Sequence, residues 1–95
     1  MTAQAPTIPR YRLAPPTEDD ALAMLARVLG VDQAAATWLG ACRDAGVRRT
    51  DAGLSPAELA RVAERLSKAA GPTGVIGSSL GVRARTWLLL NRGGA

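Results

Sequence analysis

LGVDQAAATWL at residues 29–39 is repeated in outline by LGVRARTWLL at residues 80–89. In each stretch a Leu-Gly-Val corner precedes Thr-Trp-Leu by one or two helical turns. Such a pattern predicts a helix closed by glycine, a tight turn, and a second helix whose tryptophan packs back on the first. Two such corners in 95 residues make the chain an expected all-α fold. We read it as a small orthogonal bundle of four or five helices with helix-turn-helix-like corners.

Working outward from the first corner, Thr17 stands three residues before Asp20, and Glu18 to Asp20 place negative charge in a first helical turn. A helix follows, with Leu22, Leu25, Ala26 and Leu29 on one face and Met24 and Val28 widening the apolar arc. Gly30 is its expected left-handed end, Val31 the hydrophobic contact beyond it, and Asp32 the cap of helix two. Helix two should bury Ala35, Trp38, Leu39 and Cys42 and end at Gly46-Val47. After a polar connection from Arg48 to Leu54, Ser55-Pro56-Ala57-Glu58 forms a capping box with proline at the first helical position. The third helix carries the stripe Leu59, Val62, Ala63 and Leu66, an exposed Glu64 and Lys68 pair, and a stop at Gly71-Pro72.

Residues 71–81 are glycine-rich, yet no P-loop spacing or following lysine is present, so Gly74, Gly77 and Gly81 are expected to allow close helix crossing. A short helix over Val75 to Leu80, a corner at Gly81 and a last helix from Arg83 to Asn91 complete the reading. One domain over 17–92 is implied, behind a flexible arm at 1–16 bearing Pro6, Pro9, Pro15 and Pro16 and before a disordered tail at 93–95. Within the arm, Arg10-Tyr11-Arg12 could dock in a groove, although a solvated tail is the simpler expectation.

Leu25, Ala26, Leu29, Gly30, Val31, Ala36 and Leu39 stand where the helix-turn-helix pattern places packing residues, so Leu25 to Leu39 resembles the motif of DNA-binding regulators. The resemblance implies that helix two would enter a major groove and present Asp32, Gln33, Ala34 and Thr37. Gln33 would then be the residue able to read adenine.

Composition narrows the function. There is no His and a single cysteine, Cys42, so neither an internal disulfide nor a zinc cluster can be built. Cys42 and the pair Ser78-Ser79 lack a base to activate them, and no triad or paired-carboxylate site can be assembled. We therefore expect no enzyme, no cofactor and no small-molecule substrate. No leader-like segment follows Met1 and the run Trp87 to Leu90 is too short to span a bilayer, so a cytoplasmic protein without membrane association is expected.

The net charge of +4 is uneven: four arginines face five carboxylates up to Val47, while eight cations face three carboxylates beyond it. Trp38 and Trp87, in a chain without Phe, are the expected wedges of the core. The leading expectation is a module that associates with another protein or with itself through Trp87, Leu88, Leu89 and Leu90. The alternative is a basic nucleic-acid-binding regulator that sets Arg48, Arg49, Arg83, Arg85 and Gln33 against duplex DNA.

Overall fold

Two reciprocal caps set the starts of the first and third helices. In the computed structural model, which describes residues 15–92, helix α1 spans Glu18–Leu29. The Thr17 hydroxyl accepts from the Asp20 amide at 3.1 Å, and the Thr17 amide donates to the Asp20 carboxylate at 2.9 Å. Ser55 and Glu58 make the same exchange ahead of α3, Pro56–Leu66, with bonds of 3.1 and 2.9 Å. Each box satisfies two amides that a helix start would otherwise leave unpaired. Helix α2 spans Val31–Ala45 and α4 spans Pro72–Arg92.

Each helix packs on the next in the chain, most extensively α3 on α4, and α4 returns to α1, closing a four-helix ring. At its centre Trp38, Leu25, Leu59, Leu80 and Val62 are the largest fully buried side chains. The stripe Leu59, Val62, Ala63 and Leu66 is buried as its spacing predicts. Gly46 ends α2 in the left-handed region, at φ 70°, with its amide on the Arg43 carbonyl and the Val47 amide on that of Cys42. This Schellman closure brings Val47 into the core. Arg61 of α3 adds a guanidinium bond of 2.9 Å to the Ala45 carbonyl, at the electronegative end of α2.

Several local expectations are corrected. Gly30 alone joins α1 to α2, ending one helix and preceding the other at φ 85°, ψ 162°, which is outside the left-handed helical well. With no residue left over for a turn, Val31 is already helical and 76% exposed, and Asp32 lies inside the first turn instead of capping it. The buried face of α2 is centred on the i, i+4, i+7 series Ala34, Trp38 and Ala41 with Cys42 beside it, so Ala35 and Leu39 fall past its edge and face solvent. Helix α3 ends at Leu66, before Lys68, and Pro72 opens α4 instead of stopping α3. A proline at a first helical position lacks only an amide that had no helical partner.

The largest correction concerns the second Leu-Gly-Val phrase. No corner forms at Gly81: the 21-residue α4 runs through it unbroken. The cause is phase. Ile76, Leu80 and Ala84 are buried four residues apart, so one straight helix keeps all three on the core across the glycine. Around Gly30 the four-residue series breaks: Ala21 and Leu25 are buried and Leu29 half-buried, but Gln33, the next in line, is exposed. The arm and the 93–95 tail lie outside the described residues, save for Pro15 and Pro16, and Pro16 is buried.

Candidate functional site

A continuous α4 redistributes the side chains that the sequence placed on a short last helix. At about 100° per residue, Ile76, Gly77, Leu80, Gly81 and Ala84 make the inner face, all buried. On the opposite side Val75, Val82 and Leu89 fall seven residues apart and are 69%, 56% and 64% exposed. Ser79 and Thr86, also exposed, fill the intervals, so a two-sided helix presents a ridge of aliphatic and small residues to solvent. Arg83 and Arg85 stand on its two flanks, and α4 contains no acidic residue.

The four residues expected to form one apolar patch are divided by this geometry. Trp87 and Leu88 point toward the inner side and are half-buried, whereas Leu89 and Leu90 point outward and are exposed. Asn91 donates to the Trp87 carbonyl at 2.8 Å, which holds the last turn closed. Ridge residues escape sequence reading because a corner at Gly81 would put Val75 and Leu89 on different elements. The signal was present in the unbroken spacing of Ile76, Leu80 and Ala84.

The expected nucleic-acid contacts are not gathered on one face. Gln33 is exposed in the first turn of α2, Arg48 and Arg49 lie on the loop after it, and Arg83 and Arg85 lie mid-helix in α4 instead of at a helix start. The helix-turn-helix resemblance also departs from the structure. Leu25 is buried and Ala26 and Leu29 are half-buried, but Val31, Ala36 and Leu39 are exposed, while Ala34, expected outside, is core. A corner of one residue replaces the roughly three or four of that motif. The exposed start of α2 carries Asp32, which repels phosphate.

Arg49 has a structural partner. Glu18, whose side chain is only 11% exposed, accepts from Arg49 Nε and, at 2.7 Å, from the indole Nε1 of Trp38. The loop after α2 is thereby tied to the start of α1 and to the core tryptophan. Burial raises the Glu18 pKa, but hydrogen bonds from Arg49 and Trp38 and the Arg49 charge outweigh it, and the net shift is downward. A depressed native pKa contributes stability above the unfolded value near 4.5, which is lost as pH falls through the native one. Melting temperature should therefore drop on acidification below pH about 4.5, with a shallower fall in Glu18→Gln; an identical slope in that variant would show that Glu18 is not responsible.

Cys42 is buried, and its thiol is held above the ordinary range by that burial and by the neighbouring Glu18 charge, with Arg49 opposing. Such a thiol packs as a small hydrophobe. Among the described residues no three His, Cys, Asp or Glu side chains gather as a metal site, and no helix is long and apolar enough to cross a membrane. No family model matches the sequence, and no curated protein or solved structure matches it.

Proposed function

We propose that this chain is a non-enzymatic helical binding module that associates with protein through the outward face of α4. One observation carries the reading: Val75, Val82 and Leu89 are exposed at seven-residue intervals along a single helix whose other side is already seated in the core. Seven-residue recurrence of aliphatic side chains is the spacing of helix-to-helix seams. Placing them in water has an unfavourable free energy that a partner helix would relieve. Leu90 extends the ridge at its C-terminal end.

The test is sedimentation at low and moderate salt of the chain alone, with mixed-sequence duplex DNA, and with a helical peptide carrying Leu at every seventh position. A complex with the peptide, or a self-complex, is expected. Leu89→Asp should weaken it by at least about tenfold, with the circular-dichroism melt unchanged because Leu89 is exposed. Duplex binding that vanishes with salt and with Arg83→Gln and Arg85→Gln, but is indifferent to Leu89→Asp, would replace this reading by the nucleic-acid one.

A further inference from the structure

We infer that the occupant of the α4 ridge is an acidic amphipathic helix of another protein, and not a second copy of this chain; the inference rests on the docking reading above. Charge complementarity carries it. The ridge Val75, Val82 and Leu89 is bordered by Arg83 on one side and Arg85 on the other, at about 100° and about 60° around the helix from Val82. Those are positions that flank a helix-to-helix seam, where charge chooses the partner. No carboxylate lies on α4; Glu64 of α3 shares a groove with Arg85 but makes no ion pair with it.

Self-pairing fails on the same geometry. In a parallel pair the flank holding Arg83 meets the partner copy's flank holding Arg85, about one turn or less away. In an antiparallel pair centred on Val82, the midpoint of the ridge, Arg83 meets Arg83 of the other copy. Both orientations set arginine against arginine at the edge of an apolar seam, which disfavours homotypic association. A helix with aliphatic residues every seventh position and Glu or Asp beside them converts both contacts into forked guanidinium-to-carboxylate pairs. Ser79 and Thr86, short side chains between the ridge residues, let such a helix approach closely without burying a long polar chain.

Arg85 can serve this role without loss to the fold. Its guanidinium lies over Gly81, where a Cβ would stand 3.1 Å from its terminal nitrogen, on the side toward α3, and a change of side-chain rotamer alone would carry it to a docked carboxylate. Helix α4 has 21 residues and a length of about 30 Å, enough for three successive ridge contacts.

Three synthetic helical peptides, identical in their seven-residue Leu seam and carrying Glu, Gln or Lys on both flanks, test this by fluorescence anisotropy against the whole chain. The Glu peptide should bind about tenfold more tightly than the Gln peptide at low salt. That advantage should disappear at high salt and in the double variant Arg83→Gln and Arg85→Gln. The Lys peptide should bind more weakly than either. Val82→Asp should abolish all binding, with Val75→Asp as a second ridge variant and thermal melts confirming that each folds.

Equal affinity for the three peptides, still lost in Val82→Asp, would overturn the acidic partner while leaving α4 as the docking face. A dimer of the chain alone that Val82→Asp dissolves would overturn it in favour of a second copy. No peptide bound, with a monomer in sedimentation, would overturn both the inference and the docking reading.

Discussion

Gly77→Ala is expected to lower the stability of the fold by about 3 kcal/mol, near the upper end of overpacking effects. A Cβ at Gly77 would stand 2.4 Å from the Ser67 amide nitrogen and 2.6 Å from both the carbonyl carbon and the Cβ of Leu66. Those atoms are mostly backbone, at the end of α3, where α3 and α4 make the most extensive contact in the molecule. They cannot rotate aside as a side chain would, so the two helices must separate. The usual gain of about 1 kcal/mol from replacing a helical glycine by alanine is overwhelmed.

Gly81, four residues on, supplies the control. A Cβ there would meet only the end of the Arg85 side chain, at 3.1 Å and beyond. Gly81→Ala should therefore raise stability by up to about 1 kcal/mol. Urea denaturation followed by circular dichroism reads both variants. Equal destabilisation by the two would show that α4 does bend at Gly81, because alanine is strained at a left-handed corner.

Trp38→Ala is expected to cost about 3–5 kcal/mol, a large share of the roughly 5–15 kcal/mol typical of a folded domain. The indole is fully buried and sits in the middle of the ring of helices, and no Phe exists elsewhere to fill the space. Its removal also takes a hydrogen bond from Glu18, leaving that carboxylate with Arg49 as its remaining side-chain donor among the described residues. Trp38→Phe separates the two effects: most of the volume stays and the indole donor goes, so a loss of about 1–2 kcal/mol is expected. Unfolding should be followed by far-ultraviolet circular dichroism, since Trp87 would confuse a fluorescence signal. A Trp38→Ala variant as stable as the parent would remove Trp38 from the centre of the core.

Much of the architecture was legible in the sequence where the signal is local. Thr17 with Asp20, Ser55 with Glu58, and Gly46 with Val47 each specify a helix end through contacts only a few residues apart, and all three form. The α3 stripe was legible because its four residues keep one period without interruption. What local reading misjudged was the choice between two similar glycines. Gly30 and Gly81 have nearly the same neighbours, and the difference arises from the burial of Ile76 and Ala84, four residues either side of Leu80. That tertiary influence also decides the candidate surface, for Val75, Val82 and Leu89 become one ridge only on a straight α4. On α2 the burial of Ala34 in place of Ala35 was hidden because alanines at 34, 35 and 36 give the periodicity nothing to choose between. The bond from Trp38 to Glu18 spans 20 positions, and no short-range pattern announces it.

The return of α4 onto α1 also orders how the chain can fold. The α1–α2 and α3–α4 pairs are neighbours in sequence and need only short loops closed to meet, a modest entropic cost. Contact between α4 and α1 requires the intervening chain to be in place, so it belongs to the late, high-contact-order part of the reaction. The two pairs meet both through α2 on α3 and through α4 on α1, and that joining ties them into one cooperative unit. A chain stopped before α4 would lose the most extensive partner of α3 and the closure on α1 together, so the last helix acts as the clasp of the whole fold.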